Sequence, residues 1–312
     1  MSQASDFTVT TLGCGSARPS RRHLPSSTVV NHRGNLFMVD CGEGAQRSLM
    51  QYGLNMSRVG HIFLTHLHGD HCFGLPGLVG TLGLQQTGGT LTIHTFEEGR
   101  RIFSDIFNYF SRGLPYEIVW NILDPRKEEI VLETRALTVR TIPLRHRVDC
   151  VGYIFEEKPS PRHLDRAMCD FHGVPMALYN RIKGGEDFMR PDGILVPNER
   201  LTTPPTPPRS YAHISDTAYM PALADKIRGV DLLFHETTYT EEHRPLAKER
   251  GHSTAREAAM IARDAQAGSL LIGHYSSRYP DERVLYDEAA EIFPDVVLNH
   301  EGLTTPIRKI EK

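Results

Sequence analysis

The chain has 312 residues, of which 39% are hydrophobic and 23% are charged, with a formal net charge of −3 at pH 7. No apolar run approaches the roughly 20 residues of a membrane-spanning helix, which indicates a globular protein without a membrane anchor. The slightly acidic balance excludes a uniformly basic surface, so a nucleic-acid surface would have to be a local patch. The N-terminal stretch lacks the regions of a secretory signal, and the five cysteines lack disulfide-framework spacing, which together predict a cytoplasmic location.

The first 155 residues contain short segments with the length and apolar pattern of β-strands. These segments are "FTVTTLG", "STVVNH", "NLFMVD", "HIFLT", "LTIHT", "EIVWNI", "LTVRTIP" and "VGYIFEE". Three helices are predicted among them, at "GEGAQRSLMQYG", after "FGLPGLVG" and at "EEGRRIFSDIFNYF". In the third helix Ile102, Ile106 and Phe110 are spaced to share one apolar face.

Residues 160–208 break this alternation, and they end in the proline-rich stretch "TTPPTPPRS", which favours an extended chain. We therefore predict an inserted flexible arm at 160–208 within a single domain that spans residues 1–312. Strands and helices resume after it with "YAHISDT", "DLLFHE", "STAREAAMIARDAQ", "SLLIGH", "DERVLYDEAAEIF" and "VVLNH". The order of these elements predicts two similar α/β halves around the arm.

The stretch "THLHGDH", residues 65–71, follows an apolar strand and carries four groups that bind zinc-class ions without thiolates. Residues at i and i+2 of an extended segment share a side, so His66 and His68 can bind one ion. Asp70 and His71, on the turn that follows, can reach a second ion. A histidine-rich surface loop is the alternative interpretation, and the four ligand types at this spacing argue against it.

Two coordination shells need further ligands, and three candidates stand at the ends of later apolar runs. These are His146 after "LTVRTIPLR", Asp216 in "YAHISDT" and His274 after "SLLIG". Ends of strands are where α/β folds collect their functional groups. Each residue alone is more often a cap or a satisfied polar group, but the set as a whole indicates a metal site.

A site with two metal ions indicates hydrolysis, because such ions activate a water and stabilise the negative charge of a phosphoryl transition state. The leaving oxygen then needs a proton, and His252 in "RGHSTAREAA" is the candidate general acid. It precedes a predicted capping box from Thr254 to Glu257 and therefore lies on a loop that enters a helix. Glu236 of "LLFHETTY" is the candidate carboxylate partner that holds His252 protonated.

Several motifs in this order resemble the ribonuclease Z family, the tRNA 3′-processing endoribonucleases of the metallo-β-lactamase fold. They are "LGCGSARPSRRHLPSS", "MVDCGEGAQRSLMQ", "THLHGDHCFGLPGL", "SDT", "DLLFHETTY", "GHSTAREAA" and "GHYSSRY", and the similarity extends from about residue 8 to residue 305. The resemblance implies an α/β protein with a four-layer αβ/βα sandwich and two Zn²⁺ ions per chain. Cys14 stands where we expect the family's threonine.

The same resemblance implies the role of each site residue. One ion would be held by His66, His68 and His146, the other by Asp70, His71 and His274, and Asp216 would bridge them. Asp70 would also accept the proton of the attacking water. His252 matches the histidine that assists the leaving 3′ oxygen.

The resemblance further implies precursor tRNA as the substrate and a homodimer as the assembly. The tRNA would keep a 3′ hydroxyl and the trailer a 5′ phosphate. The arm would grip the tRNA elbow through its glycine-x-proline element, which corresponds to Gly173 and Pro175. With tRNA as the substrate, the basic cluster of Arg18, Arg21 and Arg22 in the loop after the first strand would lie near the acceptor end; the alternative is a solvated basic turn.

Two other functions remain open from the sequence. One is a hydrolase of small thioesters, lactones or phosphodiesters on the same fold, which would not need the arm. The other is a non-catalytic RNA-binding scaffold, and the complete set of candidate ligands argues against it.

Overall fold

The fold was analysed in a computed structural model that describes residues 6–85 and 88–310. Among the described residues, no helix is both long and apolar enough to cross a bilayer.

The chain up to residue 157 forms nine strands and four helices in its described part. These elements are β1 (Phe7–Gly13), β2 (Ser27–His32), β3 (Asn35–Val39), α1 (Ala45–Gln51), β4 (Val59–Phe63), α2 (Gly69–Cys72), α3 (Leu75–Leu84), β5 (Thr90–Thr95), α4 (Glu97–Phe110), β6 (Glu117–Ile122), β7 (Ile130–Glu133), β8 (Leu137–Pro143) and β9 (Val151–Glu157).

The segment that we predicted to be inserted contains only short elements. They are β10 (His163–Leu164), α5 (Arg166–Phe171), α6 (Tyr179–Lys183), β11 (Phe188–Met189), β12 (Leu195–Val196) and β13 (Thr202–Thr203). The remaining elements are β14 (Ser210–Ile214), α7 (Leu223–Lys226), β15 (Leu232–Glu236), α8 (Arg244–Arg250), α9 (Ala255–Asp264), β16 (Ser269–Gly273), α10 (Arg283–Ala290), β17 (Val296–Leu298) and β18 (Thr304–Pro306).

Two seven-stranded sheets form the centre of the molecule, with the orders β18-β1-β2-β3-β4-β5-β6 and β17-β16-β15-β14-β9-β8-β7. Strands β3 to β6 are parallel in the first sheet, and β14 to β17 are parallel in the second. The remaining pairs in both sheets are antiparallel. Each half of the chain therefore contributes most of one sheet, as the alternation of apolar segments predicted.

Three apolar layers hold the sheets and helices together. Between the sheets, the rings of Phe63 in β4 and Phe155 in β9 meet edge to face with centroids 5.6 Å apart. Helices α1, α3 and α4 cover the outer face of the first sheet, and α7, α9 and α10 cover that of the second. The helix–sheet–sheet–helix order confirms the predicted four-layer αβ/βα sandwich.

Helix α4 buries a face that only partly overlaps the predicted one. Phe103 and Phe107 are buried against the first sheet, whereas Ile102 and Phe110 are exposed. Ile106, the middle residue of the predicted face, packs against the same apolar core, so the prediction was wrong at its two ends only. The apolar residues of α4 form one broad face, and spacing alone does not fix which edge of that face meets the sheet. Contact with the sheet decides which edge it is.

Residues 160–208 leave the second sheet after β9 and return to it at β14. The backbone N–H of Glu157 donates to the carbonyl of Arg209 at 2.9 Å, so the two ends of the segment are adjacent. Strands β10 and β13 pair near its base, β11 and β12 form a second pair, and a small apolar core includes Cys169, Ile182 and Leu201. The sequence showed no periodicity here because this core is built from scattered positions.

Candidate active site and metal centre

The seven candidate metal ligands lie along one edge of the two sheets, and the structure brings all of them together. They follow the carboxyl ends of β4, β8, β14 and β16, and the group comprises His66, His68, Asp70, His71, His146, Asp216 and His274. At this edge the backbone N–H of Val151 donates to the carbonyl of Thr65 at 3.0 Å, which joins the second sheet to the "THLHGDH" loop. Both halves of the chain therefore build the site.

The first ligand cluster contains His66, His68, His146 and one oxygen of Asp216. His68 Nδ1 lies 3.0 Å from His66 Nε2 and 3.3 Å from His146 Nε2. Asp216 Oδ2 lies 3.6 Å from His66 Nε2 and 3.8 Å from His146 Nε2. Four ligand atoms from three separate loops therefore surround one point.

The second ligand cluster contains Asp70, His71, His274 and the other oxygen of Asp216. The Nε2 atoms of His71 and His274 are 3.3 Å apart, and Asp70 Oδ2 lies 3.6 and 3.5 Å from them. Asp216 Oδ1 lies 3.6 Å from His71 Nε2 and 3.2 Å from His274 Nε2. Asp216 thus presents one carboxylate oxygen to each cluster.

These distances fit a metal-binding site. Tetrahedral ligands 2.0 to 2.1 Å from a zinc ion are about 3.3 Å from one another. The buried Asp216 Oδ1 has no hydrogen-bond partner within the protein, which is costly unless a ligand satisfies it. Burial and the neighbouring histidines lower the pKa of His66 well below its usual value, so this ring is neutral and its Nε2 lone pair is available.

Buried hydrogen bonds orient the ligand histidines from outside. His71 Nδ1 donates to Asp40 Oδ2 at 2.7 Å, and His146 Nδ1 donates to the Gly251 carbonyl at 2.7 Å. In both rings Nδ1 is engaged outside the cluster and Nε2 faces into it, which leaves Nε2 as the nitrogen that can bind a metal ion. Gly251 has φ 72°, and a Cβ there would lie 3.1 Å from His146 Nδ1, so only glycine fits comfortably.

The carboxylate of Asp40 is fully buried and also accepts from Thr65, through the backbone N–H at 2.8 Å and the hydroxyl at 2.9 Å. Burial raises the pKa of Asp40, and the positive charge of His71 opposes that shift. Burial lowers the pKa of His71, but Asp40 and Asp216 outweigh it and raise the pKa to about 10. Without a metal ion, His71 and Asp40 are therefore a buried ion pair.

Thr238 connects the second cluster to Glu236. Its hydroxyl donates to Glu236 Oε2 at 2.6 Å and accepts from His274 Nδ1 at 2.9 Å. Since the single hydroxyl proton is used on Glu236, His274 must carry its proton on Nδ1. His274 Nε2 is then free to bind a metal ion.

The predicted partnership of Glu236 and His252 has direct geometric support, since His252 Nδ1 donates to Glu236 Oε1 at 3.0 Å. The backbone N–H groups of Ser253, Thr217 and Thr238 also donate to this carboxylate. Burial lowers the pKa of His252, but the charges of Glu236 and Asp216 outweigh it and raise the pKa above its usual value. Glu236 is fully buried, yet the pKa of its carboxyl is lowered, because His252 outweighs the effect of burial.

The site opens to solvent through a cleft of about 260 Å³, whose lining includes Ser16, Ala17, Asp70, Arg147 and His252. The backbone N–H of Ala17 donates to Asp70 Oδ2 at 2.7 Å. Burial raises the pKa of Asp70, but hydrogen bonds and charges from His274, His71 and Ala17 outweigh it and hold the pKa well below its usual range. Asp70 is therefore ionised at the floor of the cleft.

The structure places the candidate substrate-binding residues in two regions. Arg18 and Arg21 are exposed on the loop that lines the cleft, whereas Arg22 donates to the carbonyls of Tyr279 and Pro280 within the protein. Gly173 and Pro175 lie in the inserted segment, which contributes no residue to the cleft lining.

Three residues of this site were not found from the sequence. Asp40 was detectable, because it stands at the end of the apolar strand "NLFMVD", just as the candidates Asp216 and His274 stand at the ends of their strands. Thr238 and Arg147 gave no such signal, since a hydroxyl or a guanidinium on a loop acquires its role only from the residues that fold around it.

Comparisons with known proteins agree with this geometry. Two family models match parts of the chain: "Anti-Pycsar protein Apyc1" matches residues 7–93, and "Beta-lactamase superfamily domain" matches residues 202–275. A ribonuclease Z of Phocaeicola vulgatus is 48% identical over 305 residues, covering 98% of this chain and 99% of the relative. A ribonuclease Z of Parabacteroides distasonis is 48% identical over 299 residues, covering 96% of this chain and 98% of the relative.

The chain belongs to the ribonuclease Z family. Among solved structures, the short form of human tRNase Z has a TM-score of 0.70 at 24% identity and covers 96% of this chain and 99% of its own. A metallo-β-lactamase fold protein from Bacillus subtilis has a TM-score of 0.68 at 18% identity, covering 96% and 99%. At these identities the two structures show that this chain has the metallo-β-lactamase fold, as its motifs predicted.

Proposed function

We propose that this chain is a zinc-dependent endoribonuclease that removes the 3′ trailer from precursor tRNA by hydrolysing one phosphodiester bond. The tRNA keeps a 3′ hydroxyl, and the trailer carries a 5′ phosphate. The proposal is carried by Asp216, which presents one oxygen to each of two ligand clusters. That arrangement suits a two-metal phosphodiesterase, and family membership supplies the substrate.

The protein residues fit two Zn²⁺ ions per chain. His66, His68 and His146 would hold one ion, Asp70, His71 and His274 the other, and Asp216 would bridge them. When bound, the ions would lower the pKa of a water nucleophile and stabilise negative charge on the phosphodiester. The hydrogen bonds that His71, His274 and His146 donate to Asp40, Thr238 and the Gly251 carbonyl hold Nε2 of each ring towards the clusters.

Asp70 would accept the proton of the attacking water. Its Oδ2 is fixed by the Ala17 amide and faces the second cluster, which leaves Oδ1 to take the proton. The carboxylate is ionised before the reaction because its pKa is held low.

His252 would donate a proton from Nε2 to the leaving 3′ oxygen of the tRNA. Glu236 fixes Nδ1 of the ring and stabilises its protonated form, and the ring lines the cleft. The leaving oxygen therefore departs as a hydroxyl and not as an alkoxide.

Substrate recognition would extend beyond the cleft. Arg18, Arg21 and Arg22 would lie near the acceptor end, and residues 160–208, with Gly173 and Pro175, would act as an arm that grips the body of the tRNA across a homodimer. We place the enzyme in the cytoplasm, where tRNA is processed. The five free, buried cysteines fit a reducing compartment.

The test is to incubate the purified chain with a 3′-extended precursor tRNA and to map both product ends at single-nucleotide resolution. We expect one cut near the acceptor end that a chelator abolishes and added zinc restores. If the precursor stays intact while a small phosphodiester or thioester is hydrolysed, the proposed metal site stands but precursor tRNA is not the substrate.

A further inference from the structure

A second group of metal-binding side chains lies outside the active site, at the base of the loop that carries Ala17. It consists of Cys14, His23 and Glu301, whose candidate ligand atoms lie within 4.8 Å of one another. His23 Nδ1 is 3.3 Å from Cys14 Sγ and 3.3 Å from Glu301 Oε1, and Cys14 Sγ is 3.6 Å from the same oxygen. Nothing in the proposed reaction uses these residues.

The separations match those of ligands around one tetrahedral ion. With zinc–sulfur and zinc–nitrogen bonds of about 2.3 and 2.0 Å, adjacent ligand atoms are about 3.3 to 3.6 Å apart. The backbone N–H groups of Leu24 and Cys14 donate to Glu301 Oε1 at 3.0 and 3.4 Å, which fixes the carboxylate beside the other two side chains. The side chain of Cys14 is buried, while those of His23 and Glu301 remain partly accessible, so an ion can enter from their side.

The second nitrogen of His23 makes the contact that a metal-bound histidine typically makes. His23 Nε2 lies 2.9 Å from Glu282 Oε1, and a carboxylate on the far nitrogen of a ligand histidine fixes the tautomer that binds metal. Arg22 forms an ion pair with the same Glu282 at 2.5 Å. The outer contacts of a metal site are therefore already in place.

We propose that Cys14, His23 and Glu301 bind a third, structural ion of the zinc class, with water as the fourth ligand. A divalent ion balances the charges of this group. A Cys14 thiolate and the carboxylates of Glu301 and Glu282 carry three negative charges, which the ion and the Arg22 guanidinium neutralise. Cysteine, histidine and carboxylate ligands favour zinc over magnesium or calcium.

Such an ion would fasten the active-site loop to the second half of the chain. The Cys14 carbonyl accepts from the Tyr275 N–H at 2.8 Å, and the Ser16 N–H donates to the Tyr275 carbonyl at 3.0 Å. Tyr275 directly follows the ligand His274, and Ala17 directly contacts Asp70. The third ion would therefore fix the loop that orients Asp70.

Cobalt substitution tests the site, because neither active-site cluster contains a cysteine. The full chain is stripped with a chelator, loaded with Co²⁺ and examined for a sulfur-to-cobalt charge-transfer band in the near ultraviolet, and its metal content is measured by mass spectrometry. We expect the band in the natural protein and its loss in Cys14→Ser, with about one equivalent of metal fewer per chain. Cys169→Ser, in the core of the inserted segment, is the matched control and should keep both the charge-transfer band and the metal content of the natural protein.

If Cys14→Ser does not fold, the charge-transfer band and the metal content are instead compared between the natural protein and Glu301→Gln. The proposal is overturned if the natural protein shows no charge-transfer band and binds no more metal per chain than Glu301→Gln does. Cys14, His23 and Glu301 would then be a hydrogen-bonded cluster only. This result is independent of whether precursor tRNA is cleaved, because the band reports only a bond from sulfur to metal.

Discussion

Glu236 Oε1 and His252 Nδ1 are 3.0 Å apart in a buried pocket beside the metal-ligand clusters. Because Glu236 also accepts from the Thr238 hydroxyl that positions His274, one carboxylate orients both the candidate general acid and a candidate metal ligand. The pH dependence of the reaction should therefore respond to changes at Glu236.

Replacing Glu236 with glutamine removes the negative charge that raises the pKa of His252. With a lower pKa, His252 loses its proton at lower pH, so the alkaline limb of the kcat profile should move to lower pH by about one to three units. The measurement is kcat against pH for precursor tRNA cleavage. The control is Glu249→Gln at an exposed position of α8, which should leave the pH profile unchanged. If the alkaline limb of Glu236→Gln lies at the same pH as that of the natural protein, His252 is not the general acid.

Replacing Asp40 with asparagine should weaken metal binding. The neutral amide accepts the His71 Nδ1 hydrogen bond less strongly than the carboxylate does, so the ring is held less firmly with Nε2 towards the cluster and becomes a weaker metal ligand. We expect affinity for Zn²⁺ to fall about 10- to 100-fold, measured by competition with a chromophoric chelator. Asp105→Asn on the exposed side of α4 is the control, and equal affinities in both variants would contradict an orienting role for Asp40.

Replacing Asp70 with alanine removes a candidate metal ligand and the candidate proton acceptor together. We expect single-turnover cleavage to slow by at least about a hundredfold while the protein stays folded, judged by circular dichroism. The exposed Glu43→Ala, on the loop before α1, is the matched control. Substantial cleavage by Asp70→Ala at saturating zinc would show that another group accepts the proton.

Deleting residues 160–208 should separate chemistry from recognition. The Glu157 N–H donates to the Arg209 carbonyl, so a short Asn-Gly turn can join β9 to β14 without disturbing the second sheet. We expect kcat for bis(p-nitrophenyl) phosphate to change less than about threefold and kcat/KM for precursor tRNA to fall at least about a hundredfold. Equal losses on both substrates would show that the segment supports the fold or the site itself.

Much of the fold was predictable because its strands carry strong apolar patterns. Strands such as "FTVTTLG" and "DLLFHE" are almost wholly buried, which favours the runs of apolar side chains by which they were recognised. The short strands β7 and β18, the helices α7 and α8 and the core of the inserted segment were missed, because these elements are too short or too scattered along the chain to show a periodic pattern. The buried face of α4 was predicted only in part, because contact with the sheet, and not spacing, selects its edge.

The sequence by itself determined which residues could bind metal, since "THLHGDH" and the polar residues that end later strands are visible without coordinates. Only the tertiary structure decided how they are arranged and what holds them in place. Asp216 serves both clusters, and Asp40, Thr238 and the Gly251 carbonyl select the histidine tautomers, through contacts between residues 31 to 105 positions apart. Local sequence records the type of a side chain, whereas its protonation and orientation depend on partners that folding brings from elsewhere in the chain.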